Sequence, residues 1–376
     1  MMLLVAMELG SGYLFLEEPA PDRSFATWSE RLNDRIKPLG CHVRHFVSDR
    51  AKALIKLAVD GLGCSAGADL FHAMQDITRW LGAGFWRKSG KAQKAVLQAQ
   101  DAAQTDGDVL ILAQTEQKIL EEGKDKYTGL LHKISQVLHP FSLTNKRQDA
   151  PQIEQDLNTH ATALAGVGEE YEIKDNSGRL GKFRRQIKDL VSTVDAWWLW
   201  VEVAVETLKV PTEQKDWVTE CLLPKVYWEQ QVARTDTPAV RDSYKIAAQS
   251  ADSAWQAHPL TKSLSEQEIK RCRAWAEWMC RQFQRSSSAI EGRNGYLSQI
   301  HHNGRGLSVR RLKALGVIHN FDTYRDDETT PAERLFNTKF PDLFEWLLQD
   351  FDALPLPRAS RKQPGRNPPV LQAVAA

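Results

Sequence analysis

"MLLVAMELGSGYLFLEE", residues 2–18, decides how the chain is read. "MLLVAMEL" (2–9) is an apolar run of strand length. "GSG" (10–12) supplies turn residues, and "YLFLEE" returns as a second strand, so the stretch predicts a hairpin. Working outward, Phe25, Trp28, Leu32 and Ile36 recur at helical spacing before Pro38 and Gly40 end the pattern. "CHVRHFV" (41–47) reads as a third strand running into Ser48-Asp49, and "RAKALIKLAVDGLG" as the next helix. "CSAGADLFHAMQDITRW" reads as a short strand ending near Asp69, followed by a helix from about Phe71. The order β-β-α-β-α-β-α predicts a mixed α/β sheet in residues 1–81.

Beyond that region the pattern changes. Residues 82–284 carry almost no strand signal and read as an all-helical insertion, expected to pack as a separate lobe. Lys, Gln, Glu and Ala crowd residues 88–126, as in exposed helices or a helical hairpin. Val194, Trp198, Val201, Val205 and Leu208 share one helical face. Ser265 and Glu268 form a candidate capping box ahead of the stripe Ile269, Cys272, Ala276, Met279 and Phe283. Residues 285–350 read as further helices, and the proline-rich residues 351–376 as a disordered tail. The chain has 12 tryptophans; at helical spacing, core packing accounts for most, and Trp198 and Trp278 are expected to be largely buried.

Composition narrows the class. A net charge of +1 argues against a strongly basic whole-chain binder, so basic charge informs only where it clusters. Five scattered cysteines without a C-x-x-C suit a reducing cytoplasm and offer no zinc signature. The apolar start lacks the basic region of a signal peptide, and no run of about 18 apolar residues suggests a membrane span.

One cluster stands out. Between Arg281 and Asn320 lie Arg281, Arg285, Arg293, Arg305, Arg310, Arg311 and Lys313, against a single acid, Glu291. On a helix, Glu291, Gly295, Ser298 and His302 share a face. Gly292 and Gly295 each cost about 1 kcal/mol relative to alanine, which suggests close approach by something bulky, such as a phosphodiester backbone. The bland reading is a solvated basic helix with an intrahelical Glu-Arg pair. Asp49 sits where a strand gives way to a helix, a position suited either to a cation or to a helix cap. Asp69 and His72 follow the next strand and could line the same cleft, or serve as a cap and a structural histidine.

Taken together, "HVRHFVSDRAKALIKLA", "CSAGADLFHAMQDI" and "SSSAIEGRNGYLSQIHHNGRGLSVRRLKAL" resemble bacterial insertion-sequence transposases of the DDE type. The resemblance implies an RNase H-like mixed sheet interrupted by a large all-α insertion. It also implies metal-dependent DNA cleavage and strand transfer by a two-metal centre using Mg2+ or Mn2+. Asp49 matches the family's second acid and Glu291 its last, both as metal ligands, with DNA (transposon ends and target) as partner. Arg293, Arg305, Arg310 and Arg311 are then expected on phosphates, and pairing of two copies is an option.

The departure is at the front. The family's first acid lies on a strand that precedes two others before the first helix, whereas only two strands are read here. Either that strand lies upstream of Met1, leaving this copy incomplete, or Glu8 serves as the first acid. Of these two, incompleteness is preferred; the rival to a transposase-like chain is a non-catalytic DNA-binding remnant of the same fold.

Overall fold

The computed structural model describes residues 2–102, 107–304, 306–325 and 327–349. The hairpin is present. β1 (Met2–Glu8) pairs antiparallel with β2 (Tyr13–Ala20), Met2 opposite Ala20, with a register irregularity between Ala6 and Met7. Its side chains alternate. Leu14, Leu16, Glu18 and Ala20 are buried on one face. There Leu16 and Ala20 join Leu4 and Ala6 against Trp28, Leu32 and Ile36 of α1 (Phe25–Ile36), while Glu18 bonds Arg31 and Arg35. Glu17 points the other way, as a period of two requires.

β3 (His45–Ser48) pairs parallel with β4 (Ser65–Ala68), connected through the short helix α2 (Lys52–Lys56) and a π-helical turn at Leu57–Gly61. β4 is made of small residues for a reason: α7 (Arg179–Ala204) lies across it. A methyl at Gly67 would sit 2.4 Å from His45 Nε2 and 2.7 Å from Thr193 Oγ1.

These four strands do not form the expected RNase H-like mixed sheet. Among the described residues they make two separate two-stranded ribbons in a mainly helical chain. The physical reason is that β3 and β4 are only four residues long, and neither pairs with β1. Residues 41–44, read as part of a strand, are not in one.

α3 (Leu70–Ile77) passes through a π-helical turn at Thr78–Gly82 into α4 (Ala83–Ala102), so the chain crosses residue 82 without a break. α5 (Gly107–Val137) packs on α4. α6 (Ala150–Glu170), α7, α8 (Thr212–Trp217), α9 (Leu223–Arg234), α10 (Pro238–Ala257), α11 (Pro259–Ser263) and α12 (Glu266–Arg281) complete the helical body. Its core runs continuously from Ala68 to Phe283, so the helical region is not a separate lobe. The capping box of Ser265 and Glu268 is formed, and Cys272, Ala276, Met279 and Phe283 are buried. Trp197 and Trp275 are buried with their indole N–H groups on the carbonyls of Met279 and Ala204. Trp198 is likewise buried, but Trp278 is 37% exposed, against expectation, because it stands beside the α12 stripe rather than on it.

α13 (Ser288–Asn303), α14 (Val309–Phe321), α15 (Pro331–Phe336) and α16 (Leu343–Leu348) follow. α14 packs on β2 and braces its outer edge: the Asn320 amide accepts from Leu14 N and donates to Leu14 O, at 2.9 and 3.0 Å. No helix among the described residues is long and apolar enough to cross a membrane. The tail 351–376 lies outside the described residues.

Candidate functional site

The end of β4 organises the site. Asp69 Oδ1 accepts from Phe71 N at 2.8 Å and caps α3. Asp69 Oδ2 accepts from Ser287 N at 3.0 Å and from the Ser287 hydroxyl. Leu70 N donates to Arg285 O at 3.0 Å. Asp69 is therefore a buried staple that fixes the start of α13 to the strand end, not a cleft-lining acid as the sequence suggested. Ser287, its partner 218 positions away, carries no signal in the sequence that would have found it.

Glu291 stands one turn beyond Ser287, whose carbonyl accepts its N–H at 3.1 Å. The staple thereby brings Glu291 to His72. His72 Nε2 lies 3.8 Å from Glu291 Oε1 and 3.9 Å from Asp69 Oδ2, distances of electrostatic proximity rather than hydrogen bonding. Gly292 and Gly295 are exposed, and a methyl at either would meet nothing within 4 Å, so the α13 surface beside Glu291 is open.

Asp49 follows β3. Its Oδ1 accepts from Ala51 N at 3.1 Å, while Ala51 is the N-cap residue of α2, so Asp49 shapes the turn without capping the helix. Arg50 in this turn has φ 65° and pairs with Asp189 of α7. Asp49 itself is exposed.

Glu8, Asp49, His72 and Glu291 all line one cavity of about 870 Å³. Residues of β1 and β3 form part of its wall, and each of these strands has one edge with no strand partner among the described residues. Trp197, Trp200 and Trp278 line it too, and the Arg44 guanidinium lies 4.8 Å from the Trp200 ring. His45 also faces the cavity, bonded to Ser65 Oγ at 2.7 Å and Thr193 Oγ1 at 3.1 Å; burial pushes its pKa down to about 4. Glu8 is the least free of the acids. Its Oε1 accepts from Gly10 N at 2.9 Å and its Oε2 from Ser11 N at 2.6 Å, tying both oxygens to the hairpin turn.

The expected phosphate contacts divide. Arg293 is buried and held bidentately by Glu17, Nε and Nη2 each at 2.7 Å from a carboxylate oxygen. Its guanidinium is spent inside the protein, which corrects its reading as a DNA contact. The signal lay in "EE" at 17–18, whose alternate faces demand two sets of cations. Arg310 and Arg311 are exposed on the first turn of α14. Arg305 lies outside the described residues.

The donor set does not fit the expected metal pair. Among the described residues no group of three or more His, Cys, Asp or Glu side chains is arranged to hold an ion. With Asp69 and Glu8 already committed, Asp49 and Glu291 alone do not make up a two-metal site.

Residues 218–363 match DUF6399, a family of unknown function. No curated protein and no solved structure matches the chain.

Proposed function

We propose that this chain is a DDE transposase-like DNA-binding protein whose strand-transfer centre is only partly built from its own residues. The observation that carries this reading is the convergence of Asp49, His72 and Glu291 on one cavity despite their separation in sequence. Asp49 and Glu291 line this cavity beside the open surface of α13, with Arg310 and Arg311 on the next helix for DNA phosphates. The reading requires a third carboxylate besides Asp49 and Glu291. A role on DNA agrees with the cytoplasmic setting that the cysteine usage suggests. A second reading, a DNA-binding remnant without chemistry, is supported by the lack, among the described residues, of any group of three His, Cys, Asp or Glu side chains arranged to hold an ion.

The test uses the full chain, duplexes from the DNA flanking its gene, and magnesium or manganese. The expected result is salt-sensitive duplex binding without strand transfer, and strand transfer on extending the chain upstream with an Asp-bearing strand. Binding without activity in the extended chain supports the remnant. Strand transfer by the chain alone, abolished in Glu8→Gln, Asp49→Asn and Glu291→Gln alike, overturns incompleteness and makes Glu8 the first acid. No DNA binding at low salt overturns both readings.

A further inference from the structure

A second concavity, of about 750 Å³, lies between the first half of α4 and residues 172–176. It is lined by Arg87, Lys88, Lys91, Lys94 and Lys174, against one acid, Glu172. Glu172 approaches Lys88 at 3.8 Å; the other four cations make no ion pair among the described residues. Arg87, Lys91 and Lys94 fall at i, i+4 and i+7, one face of the helix, spanning about 10 Å along its axis.

Three features set this face apart from an ordinary solvated one. First, α4 carries no acid until Asp101, so its cations repel one another at i, i+4 with nothing in the helix to offset them. Its packing partner α5 mixes both signs, with Glu116, Lys118, Glu121, Glu122, Lys124 and Asp125. Second, Trp86 lies in the groove with 78% of its surface exposed, whereas the tryptophans of the helical core are buried. Third, Gly90 weakens the helix interior, and a methyl there would meet nothing within 4 Å. Trp86, Gly90 and Lys94 follow at i, i+4 and i+8, so the glycine is a notch between an indole and an ammonium. Gly84 plays a different part, because Ile173 fills the place of its side chain and so holds the 172–176 segment and Lys174 against the helix.

We propose that this groove binds single-stranded nucleic acid. The phosphodiester backbone runs along Arg87, Lys91, Lys94 and Lys174, and an unpaired base stacks on Trp86. A like-charged track beside an exposed aromatic plane is the combination that unpaired strands recognise, since every base has a π-face to stack. The site uses none of the residues of the β3 cavity and stands or falls separately from the strand-transfer reading.

The experiment is fluorescence anisotropy of the full chain with a labelled single-stranded oligonucleotide and its duplex, across a salt series. The triple variant Arg87→Gln/Lys91→Gln/Lys94→Gln should weaken single-strand binding at least about tenfold and lower the salt slope by about two, at roughly 0.7 per cation removed. Trp86→Ala should weaken single-strand binding about tenfold and leave the salt slope unchanged, while Trp86→Phe keeps most of the affinity. Circular dichroism melts of each variant should match the unmodified chain, because these side chains are at the surface. Arg310→Gln/Arg311→Gln should leave single-strand binding through this groove intact. Unchanged single-strand affinity in both the triple variant and Trp86→Ala overturns the proposal. So does a loss in the triple variant that is equal for polyglutamate or anionic vesicles and indifferent to Trp86, which would mark a general polyanion surface.

Discussion

The helical body and the β3 cavity treat the same residue types in opposite ways. In the body, Trp198 and Trp275 are buried and each indole N–H reaches a backbone carbonyl. At the cavity, Trp278 is 37% exposed and Trp200 half-buried, meeting edge to face at 5.4 Å between centroids. Asp69, under the cavity, has both oxygens occupied by backbone N–H and hydroxyl donors, whereas Asp49, at its rim, is exposed with only one oxygen engaged. Unsatisfied groups cost free energy when enclosed, so most buried polar groups of the body are paired, the Trp228 and Trp255 indole N–H groups being exceptions. Asp49 and Glu291 are thus left exposed at the cavity, whereas Asp69 is enclosed and fully paired.

That contrast can be broken by mutation. The largest effect is expected in the body. Trp217→Ala, at a site 1% exposed, should cost about 3–5 kcal/mol in chemical denaturation. Trp278→Ala should cost less than half as much, and equal losses would erase the distinction between core and cavity tryptophans. Next comes the ion pair beneath α13. Arg293→Gln strands Glu17 in a buried site and should destabilise by about 3 kcal/mol, whereas Arg310→Gln should stay within about 0.5 kcal/mol. DNA binding should respond in the reverse order, with Arg310→Gln lowering the salt slope by about one.

A smaller effect separates the two aspartates. Asp69→Asn replaces one acceptor oxygen with an NH2 donor that faces other donors and should cost about 2 kcal/mol, with α13 loosened in hydrogen exchange. Asp49→Asn should leave stability unchanged within about 0.5 kcal/mol. A stability loss at Asp49 matching that at Asp69 would make both of them structural.

The pH dependence follows from His45. Its folded pKa, about 4, lies below the ordinary 6.5, so between these values the unfolded chain binds the extra proton. Stability contributed by the neutral ring is complete above pH 6.5 and is lost as pH falls towards 4, by up to about 3 kcal/mol. The buried His139 acts in the same direction. Denaturation midpoints at pH 7, 6 and 5 should decline, and His45→Gln should flatten that decline. An unaltered slope in this variant would assign it to other groups.

Legibility in the sequence followed range. The hairpin, α1 and the capping box of Ser265 and Glu268 depend on residues within a few positions of each other, and all are formed where the pattern puts them. The sheet was misread because strand pairing is a long-range decision. An apolar run such as "CHVRHFV" states that a segment can extend, not which edge it meets, and only His45–Ser48 finds a partner. Glu291 was conspicuous through its charge contrast with seven cations, yet nothing local tells that Arg293, two residues on, turns inward to Glu17.

Periodicity and capping chemistry determined the hairpin, α1 and the helical body, because those signals come from backbone geometry shared by every chain, while charge contrast and position at a strand end singled out Glu291 and Asp49. Tertiary structure decided that Asp69 is a staple, that Arg293 is buried, that Glu8 is bound to its own turn and that two ribbons remain unjoined. Each of these turns on which distant group arrives at hydrogen-bonding distance. That is set by how whole elements pack, and a linear pattern of side chains does not encode it locally.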